Sequence, residues 1–101
     1  MNYQLVVTRE AQVDAVDICF WLSEASVESG LRWYAEFEAA VDSLQTFPMR
    51  CPLARDVEGE RREARQLLFG KYRLLFAVEG NVVTVMHVLH QKQRPRLTDE
   101  L

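Results

Sequence analysis

The side chains best suited to chemistry lie near the C-terminal end of the sequence. His90 closes an apolar run, and a histidine can gain or lose a proton near neutral pH. Lys92, Arg94 and Arg96 follow it closely. Such a group can transfer a proton beside a stabilised negative charge, or it can bind an anionic or acidic partner. A packing role at the end of a strand is the alternative for His90.

Arg73 is the second candidate, because an arginine stays protonated and offers forked donors that suit a phosphate. It follows Tyr72 and precedes a run of apolar residues, so we expect it on a strand. The alternative is that its side chain covers apolar neighbours on the sheet or meets an acidic side chain. The residues alone leave both roles open.

The other titratable residues fit structural roles. His87 lies inside an apolar run and is expected to pack on a sheet face with one hydrogen bond. Asp14 with Asp17, and Glu36 with Glu38, could be called paired carboxylates. Their positions on amphipathic helices indicate solvated charges instead.

The cysteines and the composition of the loops argue against disulfide, metal and phosphate-loop sites. Cys19 and Cys51 are the only cysteines and lie far apart, which indicates reduced, buried thiols rather than a disulfide framework or a zinc site. The sequence contains no glycine-rich phosphate loop. We therefore expect no metal and no cofactor.

The charge is divided along the chain. The formal net charge is −3, but residues 1–60 carry four arginines against eleven acidic residues, a net charge of −7. Residues 61–101 carry eight basic residues against four acidic ones, a net charge of +4. Coulomb attraction would therefore bring an anionic partner to the C-terminal part.

Length and composition indicate one domain. A chain of 101 residues with 49% hydrophobic content can build one modest core but not two. We assign residues 1–101 to a single domain, with residues 91–101 as a basic tail. The start lacks a basic region before a long apolar segment, and no stretch of about 18 apolar residues occurs. We expect a soluble, cytoplasmic protein without membrane contact.

The first part of the sequence reads as one strand and two helices. The run "YQLVVT" at residues 3–8 has the alternation of a strand, and Thr8 can cap the helix that follows. Ser26 can cap a second helix, which Phe47 and Pro48 should end. Few residues separate these helices, so they should form an antiparallel hairpin. Residues at three- and four-residue steps predict the apolar stripe of the second helix: Val27, Leu31, Tyr34, Phe37 or Glu38, Val41 and Leu44.

After an irregular connection at residues 47–60 the apolar period changes to two. Residues 63–69, Tyr72–Val78 and Val82–Leu89 read as three strands joined by tight turns. The predicted fold is α+β, a helical hairpin on a small, mostly antiparallel twisted sheet in the order β-α-α-β-β-β. Within it we expect Leu31, Val41, Leu74 and Phe76 to be core residues.

Several segments together carry a family resemblance. They are a series of threonine, alanine, aspartate and tryptophan near the start, a second helix ending in "LQTFP", and then "REARQL", "YRLLFAV" and "VTVMHVLHQKQR". In order and spacing they resemble the RelE/ParE superfamily of toxins from bacterial type II toxin–antitoxin modules. The resemblance implies a plasmid-stabilisation toxin that inhibits growth unless a cognate antitoxin binds it.

The resemblance implies one of two activities, cleavage of mRNA on the ribosome or poisoning of DNA gyrase. Arg73 stands where nuclease members commonly hold an arginine, so Arg73 and His90 are the candidate catalytic residues if the protein is a nuclease. In either branch the target should be contacted by the basic residues and the histidine of this region. These are Arg65, Lys71, Arg73, His90, Lys92, Arg94 and Arg96.

Two departures favour the gyrase branch. In the ribonucleases of this superfamily the strand before "YR" presents lysines to the RNA, whereas here it reads "EARQLLF". Those ribonucleases also stack a C-terminal tyrosine on a base, and the tail "RPRLTDEL" has no aromatic residue. We therefore expect a ParE-like toxin. A RelE-like ribosome-dependent endoribonuclease and an orphan, non-toxic member are the alternatives.

The expected partners follow from this assignment. The resemblance implies a cognate antitoxin, a toxin–antitoxin hetero-oligomer, and DNA gyrase, or the ribosome with mRNA in the alternative. We expect acidic antitoxin segments to cover the basic region by adding a strand or helix at the sheet edge and helical hairpin.

Overall fold

The fold follows the predicted element order. A computed structural model describes residues 2–57 and 63–93, and Arg94 and Arg96 therefore lie outside the described residues. The elements are β1 (Gln4–Val7), α1 (Arg9–Ser23), α2 (Val27–Ser43), a short 3-10 turn (Pro48–Arg50), β2 (Arg65–Phe69), β3 (Tyr72–Glu79) and β4 (Val82–His90). The α+β class and the order β-α-α-β-β-β are confirmed.

Both helices begin at the predicted caps. The Thr8 hydroxyl accepts the Ala11 N–H at 3.1 Å, and the Ser26 hydroxyl accepts the Ser29 N–H at 3.2 Å. The second helix ends at Ser43, a turn earlier than Phe47 and Pro48. Phe47 adopts a left-handed φ of 55° that redirects the chain. Neither helix in the described part of the chain is long and apolar enough to cross a membrane.

The sheet has the strand order β1-β4-β3-β2. β3 lies antiparallel between β2 and β4, whereas β1 pairs in parallel with the first half of β4, from Val82 to Val85. The register of β3 and β4 shifts between Leu75 and Phe76, which leaves Met86 as the extra residue of a β-bulge. The second half of β4 thus extends beyond its parallel neighbour.

The helical hairpin covers one face of the sheet. Small residues on the first helix, Ala11 and Ala15, are fully buried and let it lie close to the strands. The second helix contributes larger groups, and the strands supply most of the rest, together with Leu44 and Cys51 from the connections. Its other buried members are Trp33, Phe37, Ala40, Val41, Leu44, Cys51, Leu74, Phe76, Val83, Val85 and Val88. Val41, Leu74 and Phe76 are buried as predicted.

The prediction that Leu31 is a core residue was wrong. Leu31 is 62% exposed and Val27 is 65% exposed. The α2 stripe that is buried includes Gly30 and Trp33 instead. A Cβ on Gly30 would lie 2.0 Å from Ser23 Oγ and 2.7 Å from the Cys19 carbonyl oxygen. α1 therefore packs against the bare backbone at Gly30, and this contact turns Leu31 outward.

The opposite face of the sheet has its own apolar cover. Ala54 and Ala64, on either side of the undescribed residues 58–62, pack with strand residues into a second buried cluster, against which the half-buried Val57 lies. Its strand members are Leu75, Ala77, Met86 and Leu89. Because both faces are covered along the centre of the sheet, β3 reads as an almost continuous apolar run.

Candidate functional site

The predicted site lies at one end of the sheet, where the β2–β3 turn meets the end of β4. Gly70 makes this turn with a φ of 56°, a conformation that glycine adopts without strain. The Gln91 N–H donates to the Lys71 carbonyl at 2.8 Å, and Gln91 Nε2 donates to the Gly70 carbonyl at 2.7 Å. These two bonds bring the turn beside His90.

A cleft of about 330 Å³ opens at this position. Its lining consists of Gly70, Lys71, His90, Gln91 and Lys92, and we call it the sheet-end cleft. Three members of the predicted target-binding set, Lys71, His90 and Lys92, therefore lie together. Lys71 and Lys92 are both exposed, so their charges face solvent.

The local contacts of His90 define which of its ring atoms is available. Nδ1 accepts the Lys92 backbone N–H at 3.2 Å, so the neutral ring carries its proton on Nε2. The ring packs edge-on against Tyr72, with centroids 5.5 Å apart. Burial raises the pKa of the Tyr72 phenol, which is therefore neutral near pH 7. Nε2 is the atom of His90 that could meet a partner.

Arg73 takes the second of its two predicted roles in this structure, since it meets an acidic side chain. The residue is 4% exposed. Its Nη1 and Nη2 donate to the two Asp56 carboxylate oxygens at 3.0 and 2.6 Å. Nη1 also donates to Gln66 Oε1 at 2.9 Å, and Nη2 to the Gln93 carbonyl at 2.7 Å. Among the described residues, its Nε finds no partner.

The guanidinium of Arg73 joins three segments of the chain. Asp56 lies on the connection after the 3-10 turn, Gln66 on β2, and Gln93 where the chain leaves β4. A bidentate pair is among the stronger polar contacts in proteins. Arg73 therefore holds Gln93, the last described residue, close to β2 and to Asp56.

Sequence reasoning missed the contribution of residues 53–56. Arg55 and Asp56 line a second, open cleft, together with Leu53, Gln66, Leu68, Arg73 and Gln91. Arg55 is exposed, so it adds a cation that the predicted set did not contain. Its place in an irregular connection left no periodic signal that could have located it.

Arg65 is not part of this cluster. It pairs with Phe76 at the far end of β2, whereas Phe69 pairs with Tyr72 beside the cleft. Arg65 and Phe69 are four residue steps apart along the strand, which corresponds to about 13 Å. Arg65 Nη1 donates to the Cys51 carbonyl at 2.7 Å. Burial raises the pKa of the Cys51 thiol despite the nearby Arg50 and Arg65.

Asp14 corrects the prediction that this carboxylate is merely solvated. Its Oδ2 accepts the Val88 backbone N–H at 3.1 Å and lies 3.1 Å from His87 Nδ1. The Thr8 hydroxyl donates to the Met86 carbonyl at 3.2 Å. Thr8 and Asp14 thus form hydrogen bonds with backbone groups of β4 in the part of that strand that extends beyond β1. His87 makes the single hydrogen bond that was predicted, and the other three carboxylates of those pairs are exposed.

The comparison with protein families decides the assignment. Residues 5–95 match the family described as the ParE toxin of the type II toxin–antitoxin system parDE. The match spans most of the sequence. The chain belongs to the ParE toxin family. The resemblance to the RelE/ParE superfamily and the choice of the ParE-like branch are thereby confirmed.

Solved structures share the fold of this ParE family protein. A structure titled as the chromosomal ParDE system of P. aeruginosa has a TM-score of 0.74 at 20% identity, over 87% of this chain and 95% of the other. The RelBE2 toxin–antitoxin complex of Mycobacterium tuberculosis has a TM-score of 0.66 at 21% identity, and the match covers 92% of this chain and 95% of the other. The archaeal RelE–RelB complex of Pyrococcus horikoshii has a TM-score of 0.60 at 14% identity, and the match covers 92% of this chain and 99% of the other. No curated protein matches the sequence.

Proposed function

We propose that this ParE family protein inhibits bacterial growth in the cytoplasm by acting on DNA gyrase, and that a cognate antitoxin neutralises it by direct binding. Family membership supports a toxin of a type II system. The solved relatives are toxin–antitoxin complexes by their titles, which supports an antitoxin as partner. The choice of gyrase rests on the geometry of the cationic region.

The observation that carries this choice is the buried ion pair of Arg73. A phosphate-binding arginine needs free donors facing its substrate. Four hydrogen bonds from the two Nη atoms already go to Asp56, Gln66 and the Gln93 carbonyl. Removing one partner of a buried pair costs several kcal/mol. A target that touches only the exposed surface avoids this cost.

The sheet-end cleft provides such an exposed surface. Lys71 and Lys92 flank His90 and present two flexible charges, which suit an acidic protein surface. We propose that Arg94 and Arg96, which lie outside the described residues, also contact the target. Arg73 acts on the target indirectly in this proposal, by holding Gln93, which directly precedes Arg94 in the sequence.

The ribonuclease alternative has one observation in its favour. His90 lies in a cleft between two lysines, and a proton donor beside cations is the arrangement that cleavage of a phosphodiester needs. In that case His90 Nε2 would exchange the proton, because Nδ1 is occupied. The third possibility is a protein that has lost its target and is not toxic.

Controlled expression in bacteria, with purified protein assayed in parallel, tests the proposal. We expect growth arrest, gyrase-linked DNA breaks and no new mRNA ends on translating ribosomes. His90→Gln should leave toxicity nearly unchanged, whereas an acid or base at this position would be worth about 10²–10⁴-fold in cleavage rate. Codon-specific mRNA cuts that disappear in His90→Gln would move the protein to the nuclease branch.

Charge-matched variants separate the surface from general effects. Lys71→Ala and Lys92→Ala should reduce toxicity, while Arg32→Ala removes an equal charge from the hairpin and should not. Deletion of residues 94–101 keeps Gln93 and its bond to Arg73, so it tests the tail without loosening the sheet end. Unimpaired growth at high levels of folded protein would support the non-toxic alternative.

A further inference from the structure

The strand β1 has an unpaired outer edge. It is the terminal strand in the order β1-β4-β3-β2, so no strand within residues 2–57 and 63–93 pairs with it on that side. The N–H groups of Gln4 and Thr8 donate to carbonyl oxygens on the β4 side, at 2.8 and 3.0 Å. Because backbone groups alternate in direction along a strand, the N–H and C=O groups of Leu5 and Val7 point outward. They can form hydrogen bonds with a further strand.

The side chains of this edge are apolar. Leu5 and Val7 pack with the cluster under the helices. Val6 therefore points to the other face of the sheet, where it is 40% exposed. Proteins commonly protect an open edge with lysine or proline, and the strand Gln4–Val7 contains neither. The edge of β1 is thus suited to pairing rather than protected against it.

The turn after α2 lies beside the N-terminal end of β1. The Tyr3 N–H donates to the Gln45 carbonyl at 2.9 Å. Phe47 follows with a left-handed φ of 55°, which is strained for a bulky residue, and it is 68% exposed. The buried Pro48 and a hydrogen bond of 3.1 Å from Arg50 Nη1 to the Phe47 carbonyl hold this conformation. Strain of this kind is concentrated at functional positions, and here it projects an aromatic ring into solvent.

A groove lies at the other end of β1, where this strand meets the two helices. It has a volume of about 330 Å³, and we call it the β1 groove. Its lining includes Val7, Tyr34, Phe37, Glu38, Val41 and Asp42. Glu38 and Asp42 are exposed, so the mouth of the groove is negative. Arg50, close to Phe47, is also exposed and carries the opposite charge, so an aromatic ring beside a cation suits this groove.

The turn and the groove are placed for reciprocal contact. Tyr3 and Val7 are four residue steps apart, about 13 Å along the strand, so Phe47 and the β1 groove lie towards opposite ends of β1. An antiparallel pairing with β1 of a second copy reverses the direction of the strand. Phe47 of each copy then comes beside the groove of the other copy. A two-fold axis at Val6 makes both contacts at once and closes the assembly.

We infer that two copies of the chain form a symmetric dimer through this β1 surface, which consists of Leu5–Val7, the β1 groove and Phe47. Leu5 of one copy exchanges backbone hydrogen bonds with Val7 of the other, and Val6 faces its own counterpart across the axis. Phe47 enters the groove of the other copy, where the cation beside it meets the two carboxylates. The pairing buries the apolar edge and the exposed ring together.

The dimer goes beyond the proposed function and does not depend on it. β1 pairs with β4 only from Val82 to Val85, whereas the sheet-end cleft lies at His90. The five residue steps between Val85 and His90 correspond to about 17 Å. The dimer therefore leaves the sheet-end cleft exposed on both copies.

A disulfide at the two-fold axis tests the register of the paired strands. Val6→Cys places two thiols on a non-hydrogen-bonded pair, whose Cα atoms lie about 4.5 Å apart, within the range that a disulfide spans. We expect the purified full chain to form a covalent dimer when oxidised glutathione takes up the two electrons and protons. Gln4→Cys is the control, because position 4 opposes position 8 of the other copy and should not cross-link. The unaltered chain, with Cys19 half-buried and Cys51 buried, should not cross-link either.

Light scattering after size-exclusion chromatography, together with sedimentation equilibrium, measures the association without a cross-link. We expect the unaltered chain to reach twice its own mass as concentration rises. Val6→Lys places like charges across the axis and should weaken the dimer by about tenfold or more. Glu38→Lys should also weaken it, whereas Glu36→Lys, exposed on the same helix but outside the groove, should not. Leu68→Ser, on the opposite edge strand β2, should dimerise like the unaltered chain.

Phe47→Gly separates association from folding. Glycine adopts a φ of 55° without strain, so the thermal midpoint should stay the same or rise. The dissociation constant of the dimer should rise by about tenfold or more. A merely structural role of the ring would instead lower the thermal midpoint and leave the association unchanged.

A chain that remains monomeric at every concentration would overturn the inference. So would a dimer that both Val6→Lys and Phe47→Gly leave intact, or one that Leu68→Ser dissociates. Cross-linking of Gln4→Cys as readily as of Val6→Cys would contradict the register. Circular dichroism confirms that each variant is folded. Because these measurements need no toxicity, failure of the proposed function would show in the growth assay alone.

Discussion

Exposed apolar side chains on the two helices form what we call the outer hairpin surface: Val13, Val16, Phe20, Val27 and Leu31. This surface and the sheet-end cleft differ in their chemistry and in the contacts that position them. The outer hairpin surface consists of apolar side chains, which form no hydrogen bonds, and exposed carboxylates of the two helices surround it. The sheet-end cleft is cationic and polar, and its segments are joined by hydrogen bonds through Arg73 and Gln91. The chain thus has two exposed surfaces of different chemistry.

The difference has a packing origin. The hairpin is positioned from beneath by Ala11, Ala15 and Gly30, which allow close approach of α1 to the sheet and to α2. Its outward residues are then free to vary. At the sheet end the apolar core runs out, and polar contacts determine the geometry. Substitutions should therefore act on the two surfaces by different mechanisms.

The largest expected effect concerns the ion pair behind the sheet-end cleft. Asp56→Ala leaves the guanidinium of Arg73, whose side chain is 5% exposed, without its counter-charge. We expect a loss of about 3–5 kcal/mol in unfolding free energy, measured by urea denaturation. Arg73→Met should cost less, because the Asp56 side chain is 34% exposed and can regain water.

Glu36→Ala is the matched control on the hairpin. It removes one exposed carboxylate and should change the unfolding free energy by less than about 0.5 kcal/mol. Equal effects of Glu36→Ala and Asp56→Ala would contradict the claim that only the sheet end depends on its charges.

The next effect concerns the packing beneath the outer hairpin surface. Gly30→Ala places a Cβ 2.7 Å from the Cys19 carbonyl oxygen, a backbone atom that cannot rotate away. We expect the two helices to be forced apart, at a cost of about 1–3 kcal/mol in thermal or urea unfolding. The higher helix propensity of alanine, about 1 kcal/mol, offsets only part of this.

Gly70→Ala gives the contrast at the sheet end. Nothing lies within 4 Å of the added Cβ, and only the φ of 56° opposes it, so the cost should be near 1–2 kcal/mol of local strain. Amide exchange should show loosening around the β2–β3 turn in this variant and between the helices in Gly30→Ala. Loosening of the same residues by both variants would show that the surfaces are coupled.

A smaller effect is expected where α1 meets the extended part of β4. Asp14→Ala removes the acceptor of the Val88 N–H and of His87. The site is half-buried, so we expect a loss of about 1 kcal/mol. Asp14→Asn retains an acceptor oxygen and should cost less. Hydrogen exchange of the Val88 amide provides the direct measurement, and unchanged protection in Asp14→Ala would contradict the assigned bond.

The smallest effect is predicted on the outer hairpin surface itself. Leu31→Ala and Phe20→Ala remove exposed apolar groups and should alter the unfolding free energy by less than about 0.5 kcal/mol. Phe76→Ala, by contrast, empties a fully buried site and should cost about 3–5 kcal/mol. A cost above 2 kcal/mol at Leu31 would place that residue back in the core.

Local sequence signals predicted the elements well. Thr8 and Ser26 begin the helices because their hydroxyls accept backbone N–H groups one turn on. The change from helical to alternating period located the three C-terminal strands to within two residues at each end. These signals are short-range, so they can be read without knowledge of the fold. The grouping of Lys71, His90 and Lys92 followed from the same tight turn.

Periodicity could not set the rotation of the second helix. Leu31 and Val41 both fit an apolar stripe, yet only Val41 is buried. Gly30 sets the rotation of α2, because its missing side chain allows α1 to pack against that part of the helix. A glycine in a helix reads locally as a weakness, and its packing role becomes visible only when the neighbouring helix is present.

The sequence by itself determined the class, the order of elements and the division into an acidic and a basic part, because these depend on composition and on contacts within a few residues. Only the tertiary structure decided what the charges do. It pairs Arg73 with Asp56 and Asp14 with β4 across 17 and 74 positions, and it leaves Phe20 and Leu31 exposed. Such pairings depend on how separate segments pack, and no local pattern encodes that.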